Sequence, residues 1–136
     1  MDLILFDLTL PGKPISKKRP RFLRTGRTYD VQCEEKKHVR SLIADKWTEA
    51  PIDGAVELTL FFDMPYPKTW TKKKKANYAR EPHLVKPDID NLVKFYLDCM
   101  NGIVMHDDKQ IVRIFASKQY CDHDGSTFIQ VEQTYV

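Results

Sequence analysis

A run of acidic residues in the second half of the chain has the side chains of a metal site. Residues 86–94 read Lys-Pro-Asp-Ile-Asp-Asn-Leu-Val-Lys, and Asp107 and Asp108 follow about one helix length later. Carboxylates that crowd together are destabilising unless cations lie among them. Hard oxygen ligands in this number suit Mg²⁺ or Mn²⁺ better than Zn²⁺. The spacing therefore predicts a divalent-metal site.

Several side chains in this region could take part in phosphate chemistry. Asp88 and Asp90 lie where a loop is predicted to turn into a helix, whose free N–H groups and positive dipole end favour ionised carboxylates. Lys94 lies four residues after Asp90 and shares its helix face. One of Asp107 and Asp108 would complete the ligand set, and the residues alone favour neither. Two metals held in this way would activate a water and stabilise the attacking and leaving oxygens, with Lys94 near the scissile phosphate.

Hydrophobic periodicity predicts the elements that position these residues. Apolar residues from Ile89 to Met100 recur at helical spacing, which indicates an amphipathic helix after the first acidic run. The remaining pattern predicts strands near 3–10 and 56–64, helices near 31–48 (capped by Asp30) and 71–80, and a hairpin of 110–120 with 127–135. These elements do not alternate regularly, which indicates an α+β fold. We expect a small mixed, mostly antiparallel sheet of about four strands with about three helices.

Length and composition are those of an ordinary globular protein. The 136 residues, 42% apolar and 30% charged, are expected to form one domain, residues 1–136. No apolar run approaches the roughly 18 residues needed to cross a bilayer, and the N-terminus lacks a basic signal-peptide region, so no membrane partner is expected. The three cysteines are unclustered, which favours free thiols in a reducing cytoplasm.

The charge is divided unevenly along the chain. Residues 1–86 carry 18 Lys and Arg against 11 Asp and Glu, whereas residues 87–136 carry 4 against 8. A basic half that precedes an acidic half is typical of a cationic cradle for a polyanion, although a solvated surface would have the same composition. The candidate residues for binding such a polyanion are Lys17, Lys18, Arg19, Arg21, Arg24, Arg27, Lys72, Lys73, Lys74 and Lys86.

Three blocks of this sequence resemble the RusA family of Holliday junction resolvases. They are Gly12–Tyr29 with its Lys-Lys-Arg-Pro-Arg run, Pro67–Lys74 with Trp70, and Lys86–Gln110 with both acidic groups. The resemblance implies a RusA-like, homodimeric endonuclease that depends on Mg²⁺, with Mn²⁺ as a substitute, and nicks branched DNA symmetrically. It also implies that Asp88, Asp90 and Asp108 are the catalytic, metal-binding aspartates and that Lys94 is the catalytic lysine.

Residues and resemblance together lead to one function, with two alternatives. We expect an endodeoxyribonuclease that resolves four-way DNA junctions in recombination and repair and leaves 5′-phosphate ends. The first alternative is a non-catalytic protein that binds branched DNA and whose carboxylates only order a loop. The second is a phosphohydrolase for small nucleotides, which would not need the long cationic segments.

Overall fold

A four-stranded sheet, with helices packed on one face, positions the candidate residues. The structure is a computed structural model that describes residues 4–133. The strands are β1 (Ile4–Pro11), β2 (Arg21–Phe22), β3 (Thr28–Tyr29), β4 (Val56–Pro65), β5 (Ile111–Cys121) and β6 (Ser126–Gln133). The helices are α1 (Cys33–Lys46), α2 (Lys72–Asn77) and α3 (Ile89–Met100). The predicted α+β class is confirmed. The predicted strand ends at Leu3 and at 134–135 lie outside the described residues.

The strand β4 lies at the centre of the sheet, whose order is β1-β6-β4-β5. It pairs antiparallel with β6 on one side and parallel with β5 on the other, so that Leu60 lies opposite both Ile129 and Ala116. Strand β1 completes the sheet by pairing antiparallel with β6. Alternate side chains of β4, from Val56 to Met64, are buried. One face of the sheet is therefore committed to the core.

The predicted hairpin of residues 110–120 and 127–135 is wrong. Both strands form, as β5 and β6, but β4 lies between them and pairs with each. The residues predicted to form the turn of that hairpin are Asp122-His123-Asp124-Gly125. Gly125 instead has a φ of +99° and lies close to backbone, since a Cβ there would come within 3.0 Å of the Asp63 carbonyl oxygen and of the Lys13 Cα. This glycine lets the chain cross the end of β4.

The parallel pairing of β4 with β5 requires a long crossover. The 45 residues between Pro65 and Ile111 contain α2, α3 and every residue predicted to be catalytic. Parallel neighbours always need such a connection, whereas antiparallel neighbours can be joined by two residues. The candidate site therefore lies in the crossover connection between two neighbouring strands of the sheet.

Helix α3 packs its apolar stripe against the sheet, as its periodicity predicts. Leu92, Phe95, Cys99 and Met100 are fully buried in one core cluster together with side chains of α1, β4 and β6. The end of α3 is capped by Arg40 of α1, whose guanidinium donates to the carbonyl oxygens of residues 98, 99 and 101 at 3.2, 3.2 and 2.8 Å. A cation at this end satisfies free carbonyls and complements the helix dipole. Burial and capping together hold α3 in place.

The cationic segment before α1, residues 13–29 and here called the basic segment, contains two short strands, here called the basic arms. Strands β2 and β3 are antiparallel and are joined through a turn in which the Leu23 N–H donates to the Arg27 carbonyl at 2.7 Å. The predicted N-cap at Asp30 is wrong, because α1 starts at Cys33 with Gln32 as its N-cap. Gln32 is buried, accepts from the Lys18 N–H and donates to the Ser16 carbonyl. These bonds fix residue 32 just outside the helix and hold the basic segment against the body.

The three cysteines differ in their exposure. Cys33 is exposed, and Cys99 and Cys121 are buried as free thiols. Burial raises the pKa of Cys99 to about 12, so this thiol stays protonated and unreactive. None of the helices within residues 4–133 is long and apolar enough to span a lipid bilayer.

Candidate active site

The first two acids lie at the start of α3, as predicted. Asp88 is the N-cap residue in extended conformation, but within the described chain its carboxylate accepts no capping hydrogen bond. Asp90 lies in the first turn, where its carboxylate accepts from the Asn91 N–H at 2.9 Å. Both acids are exposed. The positive dipole end of the helix favours the ionised form of both carboxylates, and their exposed oxygens can bind a cation.

Lys94 shares the exposed side of α3 with Asp90 and remains available for other partners. In residues 4–133, no carboxylate lies within 4 Å of the Lys94 ammonium, so the ordinary i,i+4 ion pair is not formed. A helix that used these residues only for its own stability would be expected to pair them. The exposed Lys94 ammonium is therefore available to contact another anionic group.

The loop before α3 is fixed by a lysine that the sequence analysis did not identify. The Lys118 ammonium on β5 donates to the carbonyl oxygens of Val85 and Pro87 at 2.6 and 2.7 Å. Burial lowers the pKa of Lys118, and the negative charge of Asp88 opposes that shift. A signal was present in the sequence: Lys118 occupies the face of β5 that carries Ile114 and Ala116, where an apolar side chain is expected.

We expect Lys118 to position Asp88 through this loop. Lys118→Met keeps most of the apolar stem and removes both hydrogen bonds. It should lower the single-turnover cleavage rate by about 10- to 100-fold, as for other partners that orient metal ligands, with little change in DNA affinity. Lys118→Arg, which keeps the donors, should restore part of the rate. An unchanged rate for Lys118→Met, or an equal loss in rate and affinity, would contradict this role.

The second acidic pair lies in a 3₁₀ turn rather than at the start of a strand. Asp107 caps the turn Asp108–Gln110 by accepting from the Lys109 N–H at 2.9 Å, and the Gln110 side chain accepts from the Asp107 N–H. The hydrogen bond shared by the two acids raises the pKa of Asp108, and burial and the charges of Asp107 and Asp98 add to the effect. The pKa of Asp107 is lowered, first by the bond from Lys109. Asp107 therefore has a structural task, which leaves Asp108 as the candidate ligand.

The two acidic groups lie at opposite ends of α3. Asp108 follows a segment that is bridged to the end of α3, through Asn101 and Met105, and the charge of Asp98 near this end contributes to its raised pKa. Asp90 and Asp98 are eight residues apart, which is about 12 Å along a helix axis. Within residues 4–133, no three His, Cys, Asp or Glu side chains are grouped closely enough to hold a metal ion. The structure brings Asp88 and Asp90 to one place and leaves Asp108 at another.

Two of the ten basic residues predicted to bind DNA, Lys17 and Lys74, make notable side-chain contacts within the described chain. Lys17 lies against α3, where its N–H donates to the Asn91 carbonyl and its ammonium forms a 2.8 Å ion pair with Asp98. Lys74 of α2 places its ammonium 4.5 Å from the centre of the Trp70 ring, a cation–π contact. The other predicted residues are also exposed: Lys18, Arg19, Arg21, Arg24, Arg27, Lys72, Lys73 and Lys86.

A small cavity connects the acids with the basic segment. It has a volume of about 380 Å³ and is lined by Ser16, Lys86, Pro87, Asp88 and Asn91. The Lys86–Pro87 peptide bond in its wall is cis. The cavity therefore combines a candidate metal ligand, a cation and a hydroxyl at the place where the basic segment meets α3. A phosphate group between a metal and a lysine would have suitable partners there.

Comparisons with known proteins give two matches. The family model described as Endodeoxyribonuclease RusA matches residues 11–132. A curated relative from Bacillus subtilis (strain 168), named Uncharacterized protein YqaN, is 31% identical over 131 residues, which cover 90% of this chain and 91% of the relative. The range matched by the family model contains all candidate site residues, from Lys17 to Asp108.

Proposed function

Because the chain belongs to the RusA family of endodeoxyribonucleases, we propose that it hydrolyses one phosphodiester in each of two opposed strands of a four-way DNA junction. The reaction would require Mg²⁺, accept Mn²⁺ as a substitute and leave 5′-phosphate and 3′-hydroxyl ends. We further propose that residues 1–136 act as a single endonuclease domain. Free thiols in the described chain support a cytoplasmic location.

One observation carries the proposal. The uncapped carboxylate of Asp88 faces the same small cavity as Lys86 and Ser16, and the basic segment that contains Ser16 is bonded to α3 through the Lys17 N–H. A polyanion that follows the exposed arginines of β2 and β3 would therefore be led to the acids at the start of α3. A small-nucleotide hydrolase would have no use for that path.

The donor set fits Mg²⁺ in its chemistry. We propose that Asp88, Asp90 and Asp108 hold the metal, which would activate the attacking water and stabilise charge on the phosphate. Lys94 would contact the scissile phosphate or the leaving oxygen. Because Asp108 lies near the other end of α3 in the single chain, the three carboxylates would meet only after the chain rearranges on DNA or after a second copy supplies one of them.

An exposed apolar surface supports the proposed homodimer. On the sheet face opposite the core, Phe61 is 40% exposed and Phe115 is 60% exposed, with ring centroids 6.0 Å apart. Phe61 also stacks on Phe128 at 5.7 Å. Contiguous apolar surface of this kind typically marks an interface, and a two-fold pair of chains would present two sites to opposed strands.

The proposal is tested by a cleavage assay on three substrates: a four-way junction, a flap and a plain duplex, each with Mg²⁺ and with EDTA. We expect paired nicks in the junction with Mg²⁺, ends that DNA ligase can reseal, and no nicks in EDTA. The plain duplex serves as the matched control and should stay intact. Junction binding without nicking in Mg²⁺ or Mn²⁺ would refute the catalytic assignment, and equal cleavage of all three substrates would refute the junction selectivity.

A further inference from the structure

A larger cavity adjoins the small one and has no role in the function described so far. It has a volume of about 690 Å³ and lies between the end of β4, the loop before α3 and the connection between β5 and β6. Lys86 and Pro87 belong to the walls of both cavities. This larger cavity is here called the aromatic pocket. A group bound in it would contact Lys86 and Pro87, which directly precede Asp88.

Flat aromatic rings form the inner part of the aromatic pocket. Tyr66 and Tyr120 are stacked, with ring centroids 6.0 Å apart and planes at 21°. The imidazole of His83 lies 4.8 Å from Tyr120 and is only 6% exposed. Trp70 contacts both tyrosines from outside the pocket, at 5.9 and 5.1 Å. Rings supported in this way lose little freedom when a planar ligand stacks on them.

The polar groups of the aromatic pocket fit a nucleotide. Lys13, Lys68, Lys75 and Lys86 line it, against the carboxylates of Asp122 and Asp124. The lysines are placed to bind phosphates, and the carboxylates can accept hydrogen bonds from the amino groups of a base. Burial, together with the charges of Lys118 and Lys13, lowers the pKa of His83, so its imidazole is neutral at pH 7 and can both donate and accept.

We propose that the aromatic pocket binds one nucleotide of the cleaved strand, next to the scissile phosphate, with its base rotated out of the DNA stack onto Tyr66. This inference rests on the proposed function, because it places the nucleotide beside Asp88. At a four-way junction the bases next to the crossover are the easiest to unstack, since unpairing costs least where the duplex is interrupted. The pocket would thus favour junctions over continuous duplex and would make cleavage depend on the base that it holds.

The test combines a protein change with a substrate change. Tyr66→Leu removes the stacking ring, and a junction with an abasic residue in place of one base next to the mapped nick removes its partner. We expect each change alone to lower the cleavage rate by about 5- to 150-fold, the usual range for the loss of one base–aromatic stack. When Tyr66→Leu acts on the abasic junction, the cleavage rate should fall no further than with either change alone. Tyr66→Phe, which keeps the ring, should restore the sensitivity to the abasic residue.

Tyr78→Leu is the matched control, because Tyr78 contacts Trp70 and Tyr120 but does not line the pocket. This variant should cleave the intact junction at the wild-type rate and should lose activity on the abasic junction as the wild type does. Independent, multiplying effects of Tyr66→Leu and the abasic residue would overturn the proposal, as would wild-type cleavage by Tyr66→Leu. Failure of the wild-type protein to cut the intact junction would instead count against the proposed function. In that case the same four combinations of protein and junction are compared by their binding affinity in EDTA. Losses of affinity that do not add support the pocket, and losses that add independently refute it.

Discussion

Asp90→Asn is expected to lose at least about 100-fold in junction cleavage, because even residues that only orient metal ligands contribute about 10- to 100-fold. The asparagine carbonyl can still accept the hydrogen bond from the Asn91 N–H, so the start of α3 should be preserved. Junction affinity in EDTA should be at least that of the wild type, since one negative charge beside the phosphates is removed. The measurement is single-turnover cleavage in Mg²⁺ with a parallel gel-shift titration.

Asp45→Asn is the matched control, because Asp45 is an exposed acid on α1 and lies outside the candidate site. It should cleave as the wild type does. If Asp90→Asn also cleaves at the wild-type rate, the assignment of the metal site is wrong. If Asp90→Asn and Asp108→Asn are each inactive, mixing the two variants shows whether the acids of one site come from one chain or from two. Restored cleavage in the mixture means that two copies share each site, and continued inactivity means that the acids of one chain act together.

Replacing Arg19, Arg21, Arg24 and Arg27 with glutamine is expected to weaken junction binding strongly. These side chains are exposed on and around β2 and β3. If each contacts one phosphate, the slope of log affinity against log salt should become shallower by about 0.9 per arginine. The four changes together would make the slope shallower by about 3.6, so over the tenfold range from 1 M to 0.1 M salt the affinity at 0.1 M should fall by up to roughly 4,000-fold. Gel-shift titrations at four or five salt concentrations would measure both quantities.

A second variant separates local contacts from a general loss of charge. Lys37 and Lys46 are exposed on α1, and replacing both with glutamine removes positive charge away from β2 and β3. This variant should keep the wild-type salt slope. The turn of the basic arms is closed by a backbone bond from Leu23 to Arg27, so glutamine at position 27 should preserve it. An unchanged slope in the four-arginine variant would show that DNA does not follow this segment.

The elements that the sequence predicted well have strong, local signals. The apolar residues from Leu92 to Met100 recur at helical spacing, and those that recur are the ones buried in the core. The sequence alone therefore predicts α3. The alternation in β4 is equally clear. The partner of β5 could not be predicted in this way. Both β4 and β6 have suitable alternation, and no local signal shows which of them pairs with β5. The Asp124-Gly125 pair favoured a local hairpin, and the tertiary fit of Gly125 against β4 determined the outcome.

The candidate site was predictable in its chemistry but not in its geometry. The sequence places Asp88 and Asp90 at a helix start because turn and helix signals meet there. It could not show that Asp107 caps a 3₁₀ turn, since capping depends on the side chain of Gln110 folding back. Nor could it show that Lys118 reaches the loop before α3, which is a contact between residues more than thirty positions apart. Contacts of this kind exist only once the sheet has formed.

The long crossover between β4 and β5 has a consequence for the order of folding. Joining two parallel strands across 45 residues is a late step, because the entropy of closing the loop is lost before the ladder forms. Lys118 can reach the loop before Asp88 only after that step, so a nascent or partly unfolded chain would lack this support for the candidate site. The candidate site would therefore form late in folding, after the strands that flank it have paired.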